Sequence, residues 1–261
     1  MTSYAIGDVH GSYDKLLALV ESHRDSQDEL IFLGDLFDRA PEPDGDVKVL
    51  TLIRDLQRNP QKYGLSNVVV LRGNHEQLIL KSFTNLDFDL WMYNGGDFEF
   101  ADYLYDNPSH LEWLNQLPYT TIRNNYLCVH AGVRPGVALE DQDPDDLIWI
   151  RPDTNIPHNL GMTIVHGHTV HEEITEYTDR ICIDTGACFG GPLSEYALVA
   201  YPIASLSGGL VTFVLYEYIS CLKTQIILVV ITMALPTLPL LYLIHKASHR
   251  ITINLPLLKV S

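Results

Sequence analysis

Short polar stretches, each directly after an apolar run, carry most of the side chains in this sequence that could do chemistry. Carboxylate, amide and imidazole groups recur beside glycines in these stretches. They are GDVHG at 7–11, GDLFDR at 34–39, GNHE at 73–76, HAG at 130–132 and HGHT at 166–169. Oxygen and imidazole ligands that meet from different loops are what divalent metal ions require, and one carboxylate can bridge two ions. The pattern therefore predicts a metal centre.

The predicted metal ligands divide into two sets that share one aspartate. Asp8, His10 and Asp35 can hold one ion, and Asp35 can bridge to a second. The second set is Asp35, Asn74, His130 and His168. Each residue alone is weak support, because a single Gly-Asp pair usually marks a turn. Several separate motifs in one chain indicate a site far more strongly than any one of them.

Three apolar runs, SYAI, ELIF and NVVV, precede the first three polar stretches. Between them lie segments with apolar residues at helical spacing, YDKLLALVESH and DVKVLTLIRDLQ. The order strand, helix, strand, helix, strand predicts an α/β fold with a mostly parallel sheet, in which the carboxyl ends of the strands carry functional loops. We therefore expect the three polar loops at one edge of the sheet.

The later part of the chain predicts further strands that end in histidines. Residues 84–117 are rich in aromatic side chains and are expected to be helical. TTIRNNYLCVHAGV predicts a hairpin that turns at Asn124 and Asn125 and ends at His130. MTIVHGHT and RICIDTGA are predicted as two more strands, and DDLIWIRP as a short helix or turn. The strand ends add imidazoles to the expected site.

The net charge and the cysteine content argue against a nucleic-acid partner and against a secreted protein with disulfide bonds. The chain has 261 residues and a formal net charge of −16. Residues 1–200 hold 32 acidic and 13 basic residues, whereas residues 201–261 hold one acidic and four basic residues. An acidic body repels nucleic-acid backbones, so we expect no nucleic-acid partner. Four cysteines without a CxxC spacing, and the lack of a secretory pattern at the beginning, favour a cytoplasmic protein with reduced thiols.

The C-terminal part differs from the rest and predicts a separate segment. We expect a catalytic domain at 1–204 and a hydrophobic tail at 205–261. The stretch 226–244 has 19 residues without a charge, close to the roughly 20 that a membrane helix requires. Three alternatives stay open: a membrane anchor, a hydrophobic end that is buried or partly disordered, and a tail outside the native coding sequence. Basic residues follow the stretch more than they precede it, which by the positive-inside tendency disfavours an anchor with the body in the cytoplasm.

The order and intervals of the motifs resemble a known family. GDVHG, GDLFDR, RGNHEQ, HAG and HGHT are similar to the motifs of the phosphoprotein phosphatase branch of the calcineurin-like metallophosphoesterases, in particular the small protein phosphatases of bacteria and bacteriophage lambda. The resemblance covers roughly residues 3–200, and NGGDFEF, LIWIR and IDTGACFGG resemble further landmarks of the bacterial members. It implies a metallophosphoesterase-type β-sandwich flanked by helices. The hydrophobic tail has no counterpart in the family.

The same resemblance assigns roles to residues that match the family's motifs. It implies two divalent metal ions at the six ligands named above, with Mn²⁺ as the first choice and iron or zinc as alternatives. It implies His75 as the general acid, oriented by Asp38. It also implies phosphate binding by Arg39, Arg72 and Arg151.

One position departs from the family's pattern. The family usually has Asp-Arg-Gly where this chain has Asp38, Arg39 and Ala40. If the glycine position requires a positive φ, an alanine there is strained by about 1 kcal/mol. Such strain would affect the position of the neighbouring Arg39.

Hydrolysis of a phosphate monoester gives these side chains a reason to occur together. The reaction requires an activated water, neutralised phosphoryl charge and a proton for the leaving oxygen. Two metal ions supply the first and assist the second, and arginine binds phosphate oxygens in pairs. A serine or threonine alkoxide is a poor leaving group, so a histidine held by a carboxylate suits the third, which favours His75. Glu76 is expected only as an acidic residue in the first turn of a helix.

The other histidines are expected to have no catalytic role. His166 is separated from His168 by a glycine, and successive side chains of a strand alternate faces. We therefore expect His166 beside the site, with direct ligation as the alternative. His23, on a helix, and His158 and His171 are expected at the surface.

We expect a metal-dependent serine/threonine protein phosphatase in which a hydroxide between two ions attacks the phosphorus directly. Its partner is then a phosphoprotein or phosphopeptide, and a membrane is a further partner only through residues 226–244. One alternative is hydrolysis of diadenosine tetraphosphate or another small phosphoester. An alternative of another class is an inactive, membrane-tethered module that binds phosphopeptides. The intact ligand set and acid pair disfavour the inactive module.

Overall fold

The computed structural model describes residues 1–199 of the chain. These residues belong to the first of two units into which the chain divides, Met1–Tyr201, and the second, Pro202–Ser261, lies outside the described residues. The tail predicted at 205–261 and its candidate membrane segment at 226–244 therefore lie outside them as well. Within the described part, no helix combines the length and the apolarity needed to cross a membrane.

The described residues form a mixed α/β structure, as the alternation of strand and helix patterns predicts, and they contain two mixed sheets. The strands are β1 (Ser3–Ile6), β2 (Glu29–Phe32), β3 (Asn67–Val70), β4 (Thr120–Arg123), β5 (Tyr126–Val129), β6 (Thr163–His166), β7 (Thr175–Glu176), β8 (Arg180–Cys182) and β9 (Glu195–Ala197). The α-helices are α1 (Tyr13–Ser22), α2 (Gly45–Arg58), α3 (Asn74–Asn85), α4 (Asp89–Tyr93), α5 (Phe98–Asp106), α6 (Ser109–Asn115) and α7 (Pro144–Trp149). Short 3-10 helices lie at Pro60–Tyr63, Leu139–Asp141 and Ala187–Phe189.

The first sheet has the strand order β3-β2-β1-β9. β1, β2 and β3 are parallel, with Ile6 opposite Phe32 and Phe32 opposite Val70, and β9 runs antiparallel to β1. Because parallel strands end at the same edge of a sheet, the loops after β1, β2 and β3 lie together. The prediction that the three polar loops share one edge is confirmed.

The second sheet has the strand order β4-β5-β6-β8-β7. β4 and β5 form the predicted hairpin, in which Arg123 pairs with Tyr126. Asn124 turns the chain with a φ of 53°, a left-handed conformation that asparagine tolerates. β5, β6 and β8 are parallel, so the residues that follow β5 and β6 reach one edge. His130 and His168 occupy that edge.

Three apolar clusters hold the sheets and helices of the described residues together, and two of them involve the first sheet. Leu16 and Val20 of α1 are buried at a four-residue spacing, and these helix faces pack with the strands of the first sheet. Ala5 and Ile31 of the first sheet pack with Val165 of the second in a further cluster. Removing this surface from water stabilises the fold by about 25 cal/mol per Å². The shared cluster fixes the strand-end loops of one sheet relative to those of the other.

Two histidines that we expected at the surface are buried. His23 follows α1 and is 6% exposed, with Nε2 2.6 Å from Oε2 of Glu195 and Nδ1 3.3 Å from Oδ2 of Asp28. The hydrogen bond with Glu195 raises the pKa of His23. His158 is 2% exposed, and its Nε2 lies 3.0 Å from the carbonyl oxygen of Asp179. The expectation was wrong for both, because Glu195 lies 172 residues from His23 and Asp179 lies 21 residues from His158 in the sequence.

Candidate metal centre and active site

Loops from both sheets meet around a cavity of about 90 Å³. Five of the six predicted ligands line it, and His130 adjoins it, with Nε2 2.8 Å from Oδ1 of Asn74. All six are at most 8% exposed. The residues that line the cavity are Asp8, His10, Asp35, Arg39, Asn74, His75, Asn94, Trp149, Arg151, His168, Val170 and Asp184.

Two groups of three side chains each place their ligand atoms within 4.8 Å of one another. One group is His10, Asp35 and His75, and the other is Asp35, His130 and His168. Asp35 belongs to both, with Oδ2 3.6 Å from Nε2 of His10 and Oδ1 3.4 Å from Nε2 of His130. A carboxylate in this position has the geometry that a ligand shared by two ions requires.

Backbone carbonyls orient two of the imidazoles towards the cavity. Nδ1 of His10 lies 2.8 Å from the carbonyl oxygen of Phe37, and Nδ1 of His130 lies 3.1 Å from that of Leu33. A carbonyl only accepts hydrogen bonds, so Nδ1 carries the proton in both rings. In His10, Nε2 keeps its lone pair and accepts from Nη1 of Arg39 at 3.1 Å. Nε2 of His130 faces a second acceptor, Oδ1 of Asn74. Burial opposes the charged ring, but the charge of Asp35 raises the pKa of His130, so this ring would release its Nε2 proton to a bound cation. Metal-binding histidines are held through the other ring nitrogen in this way.

The pKa shifts of three ligands, His10, His168 and Asp35, suit a metal ion, which binds neutral imidazole and ionised carboxylate. Burial lowers the pKa of His10 to about 4 and that of His168 to about 3. Burial alone would raise the pKa of Asp35, but the charges of His130 and His75 hold it well below its usual range. At neutral pH His10 and His168 therefore offer lone pairs, and Asp35 offers a negative charge.

Asp184, which the sequence analysis did not single out, adds a carboxylate to the cavity. Burial raises the pKa of Asp8 well above its usual range, and the charge of Asp184 raises it further. A Cβ at Gly167 would lie 2.0 Å from Oδ1 of Asp8, so the glycine makes room for this carboxylate. Asp184 comes directly after the apolar end of RICI, the same signal that marked Asp8 and Asp35. A bound cation would relieve the repulsion between the two carboxylates.

The loops that carry the ligands hold residues other than glycine in the left-handed backbone conformation. The φ angle is 45° at His10, 50° at Asp35 and 65° at His168. Each costs of order 1–2 kcal/mol, and such residues cluster at functional sites. The amides of Val9 and His10 both donate to the carbonyl oxygen of Asp35 at 3.0 Å. These bonds lock the loops after β1 and β2 to each other.

A buried hydrogen-bonded pair lies beside the ligands. Nδ1 of His75 is 2.5 Å from Oδ2 of Asp38, and Nε1 of Trp91 donates to the other oxygen of Asp38 at 2.8 Å. Burial raises the pKa of Asp38 to about 8 and lowers that of His75, because it disfavours both charged forms. The short contact lets the two groups share one proton. Nε2 of His75 lies 3.9 Å from Oδ2 of Asp35, on the side of the ligands.

The amino-acid sequence that builds this site also matches a known protein family. The family described as Calcineurin-like phosphoesterase matches residues 1–192. The chain belongs to the calcineurin-like phosphoesterase family. It is therefore a hydrolase of the phosphoesterase class, and its family implies divalent metal ions at the cluster of aspartates and histidines.

Relatives of this calcineurin-like phosphoesterase include proteins with two kinds of substrate. "Serine/threonine-protein phosphatase 1" of Salmonella typhimurium is 29% identical over 209 residues, which cover 73% of this chain and 89% of that protein. "Bis(5'-nucleosyl)-tetraphosphatase, symmetrical" of Methylococcus capsulatus is 34% identical over 137 residues, 52% of this chain and 44% of that protein. The structure of a protein serine/threonine phosphatase from Saccharomyces cerevisiae has a TM-score of 0.55 at 20% identity, covering 70% of this chain and 67% of its own. That structure supports the fold alone.

Glu76 has a larger role in this phosphoesterase than the helix position that the sequence suggests. It is fully buried, and its Oε2 accepts hydrogen bonds from the amides of Asp35 at 2.9 Å and Gly73 at 2.8 Å. Its Oε1 accepts from the amide of Leu36 at 2.8 Å. The side chain therefore ties the start of α3 to the loop that carries the shared ligand.

We expect Glu76→Gln to lower the free energy of unfolding by about 1–3 kcal/mol, because the amide nitrogen would leave a buried N–H without an acceptor. The Asp35 loop would also loosen, so we expect about tenfold weaker Mn²⁺ binding. Denaturant unfolding and Mn²⁺ titration measure the two effects. Glu112→Gln is the matched control, because Glu112 is an exposed glutamate in the first turn of α6. Equal effects of the two substitutions would mean that Glu76 acts only on the helix dipole.

The structure brings two of the three predicted phosphate-binding arginines to the cavity of this phosphoesterase. Arg39 and Arg151 line it. Arg72 is 6% exposed and lies elsewhere, donating from Nη2 to the carbonyl oxygens of Leu114 at 3.1 Å and Asn115 at 2.7 Å. Phosphate binding by Arg39 and Arg151 stays a prediction, and the geometry of Arg72 supports a structural role at the end of α6.

We expect Arg72→Met and Arg151→Met to separate stability from substrate binding. Loss of the charged hydrogen bonds of Arg72 should lower the free energy of unfolding by about 2–3 kcal/mol. Arg151 is exposed, so its substitution should leave stability within about 0.5 kcal/mol, while the KM for a phosphate ester rises about tenfold. Thermal unfolding and steady-state kinetics on both variants check this. A raised KM with unchanged stability in Arg72→Met would restore Arg72 as a phosphate ligand.

Ala40 is not strained in the way that we expected. Its φ is not positive, whereas Asp38 and Arg39 have φ angles of 72° and 62°. A Cβ at Gly11 would lie 2.4 Å from the Cβ of Ala40, and one at Gly45 would lie 2.8 Å from it. Ala40 therefore fills a space that two glycines leave open. The departure from Asp-Arg-Gly carries no backbone penalty at position 40.

His166 lies beside the cavity of this phosphoesterase and does not line it. The ring is 6% exposed, and Nδ1 is 3.0 Å from the carbonyl oxygen of Gly167. His168, two residues later, presents Nδ1 to Nε2 of His130 at 3.2 Å. These positions agree with the expectation that His166 lies beside the site while His168 lies in it.

Proposed function

We propose that this phosphoesterase is a two-metal protein phosphatase that acts on phosphoserine and phosphothreonine. The observation that carries the proposal is the buried His75–Asp38 pair, 2.5 Å apart, next to a carboxylate shared by two groups of ligands. A proton donor at this position matters most for a poor leaving group such as a serine alkoxide. The names of the bacterial relatives support the same substrate class.

In this proposal the six ligands hold two ions, with Asp35 shared between them. Asp8, His10 and Asp35 would hold one ion, and Asp35, Asn74, His130 and His168 the other. Mn²⁺ suits this set of oxygen and imidazole donors, as do iron and zinc. When bound, the ions supply an activated water and neutralise phosphoryl charge.

The remaining residues act on the substrate directly. The guanidinium groups of Arg39 and Arg151 would bind the phosphoryl oxygens in the cavity. His75 would give its proton from Nε2 to the leaving oxygen, while Asp38 holds Nδ1 and Trp91 holds Asp38. The shared apolar cluster of the two sheets supports the sandwich arrangement expected for the catalytic domain at 1–204.

A panel of substrates tests the proposal. The full chain, loaded with Mn²⁺, is assayed on phosphoserine, phosphothreonine and phosphotyrosine peptides and on diadenosine tetraphosphate. We expect phosphoserine and phosphothreonine peptides to be hydrolysed with the highest kcat/KM, and a chelator to abolish the activity. Turnover of the dinucleotide alone would overturn the proposal in favour of the second group of relatives.

A further inference from the structure

A groove of about 830 Å³ adjoins the metal-centre cavity, and Arg39 lines both spaces. Its walls come from residues 39–48, at the start of α2, and residues 95–103, at the start of α5. The cavity of about 90 Å³ is well below the roughly 300–1,000 Å³ of a pocket that encloses a whole ligand. Part of a substrate must therefore lie outside it. The groove is a space of the size that ligands occupy, directly beside the phosphate position.

The charges of this groove are predominantly negative. Two basic side chains, Arg39 and Lys48, also line it, and each makes a hydrogen bond to an uncharged acceptor. Nζ of Lys48 donates to the carbonyl oxygen of Pro43 at 2.8 Å, and Nη1 of Arg39 lies 3.1 Å from Nε2 of His10. The acidic side chains of the groove are Glu42, Asp44, Asp46, Asp97 and Glu99, and burial raises the pKa of Asp46 to about 8. A cation in the groove would meet several carboxylates, and an anion would be repelled.

A buried carboxylate in the wall of the groove lacks part of its hydrogen bonding. Asp46 is 5% exposed, and its Oδ1 accepts from the amide of Asp38 at 2.9 Å. No hydrogen bond from residues 1–199 reaches its Oδ2, which is not among the fully buried unpaired atoms of those residues. A donor from a bound ligand would complete the set.

The groove also offers an apolar surface beside its carboxylates. Phe100 is 1% exposed at its base, and Val47 and Tyr103 are partly buried around it. A long side chain with an apolar stem and a charged head matches such a surface. Lysine and arginine have this form.

We propose that the groove binds a lysine or arginine close in sequence to the phosphorylated residue of a protein substrate. The inference rests on the proposed function, and it names the substrate class: phosphoproteins with a basic residue next to the phosphorylated serine or threonine. The stem would lie on Val47 and Tyr103, which pack around the buried Phe100, and the charged head would meet the carboxylates. A dinucleotide polyphosphate carries only negative charge in its phosphate chain, so this groove would repel it.

A matched set of phosphoserine peptides tests the inference with the full chain. The peptides differ only in the residues that flank phosphoserine, which are arginine, alanine or glutamate. We expect kcat/KM for the arginine peptide to exceed that for the glutamate peptide about tenfold, and the ratio to fall at high salt. In the double variant Glu42→Gln/Glu99→Gln we expect the ratio to drop to about threefold or less.

Glu140→Gln is the control, because Glu140 is exposed and lines neither space. It removes one negative charge from the same acidic body and should leave the ratio unchanged. An equal fall in Glu140→Gln would assign the preference to overall charge and overturn the groove. Equal rates on all three peptides in the wild type would also overturn it, while leaving the proposed function intact. Hydrolysis of no phosphopeptide, with turnover of diadenosine tetraphosphate, would overturn the proposed function and with it the inference.

Discussion

His75→Asn is expected to lower kcat/KM for a phosphoserine peptide about 10³-fold and that for p-nitrophenyl phosphate about tenfold or less. Serine leaves as a strongly basic alkoxide and requires a proton, whereas p-nitrophenolate leaves without one. The two substrates share the phosphoryl group and therefore the metal ligands. The difference between the losses of kcat/KM on the two substrates therefore measures the contribution of the proton donor. Steady-state kinetics on both substrates with one preparation measure it.

Metal content distinguishes this role from ligation, because His75 is also within ligand distance of His10 and Asp35. We expect the variant to bind the same number of Mn²⁺ ions as the wild type. Asp38→Asn should show the same dependence on the leaving group with a smaller loss, since it removes the partner of Nδ1 and leaves the ring. Equal losses on both substrates together with a lost ion would make His75 a ligand and not the acid.

Much of this site could be predicted because strand ends are gathered by topology. Asp8, Asp35 and Asn74 lie tens of residues apart in the sequence, yet each follows one of the three parallel strands of the first sheet. Parallel pairing places such positions at one edge without any knowledge of side-chain packing. The same argument explains why His130 and His168 could be placed from the strands of the second sheet.

Other features depend on packing that no local pattern specifies. The indole of Trp91 donates to Asp38 across 53 residues, and nothing near either residue signals the contact. Arg72 follows a strand just as the metal ligands do, but its side chain turns to carbonyl groups at the end of α6. His23 is buried because Glu195, 172 residues later, reaches it. Periodicity can place a backbone, whereas the direction of a long side chain depends on which partners tertiary contacts bring near.

The Asp35→Asn substitution is expected to lower kcat for every phosphate ester by at least about 10³-fold, which corresponds to about 4 kcal/mol of lost transition-state stabilisation. The substitution keeps the shape of the side chain and removes its charge. Asp35 is the one residue common to both groups of ligands, and its two oxygens face His10 and His130 separately. An amide nitrogen in place of one oxygen would point a donor at an imidazole lone pair or a cation. We therefore expect the bound Mn²⁺ to fall from two ions per chain to one or fewer.

The loss of kcat in Asp35→Asn should be the same for good and poor leaving groups, because Asp35 acts on the phosphoryl centre and not on the departing oxygen. The loss in His75→Asn, in contrast, should depend on the leaving group. Oδ1 of Asp35 also accepts the amide of His75 at 3.0 Å, and the carbonyl oxygen of an asparagine can keep that bond. The fold should therefore survive, which circular dichroism and thermal unfolding can check. Asp106→Asn, at an exposed aspartate of α5, is the matched control and should retain full activity and two ions. Retention of both ions and of the rate in Asp35→Asn would mean that the two groups of ligands do not share this carboxylate.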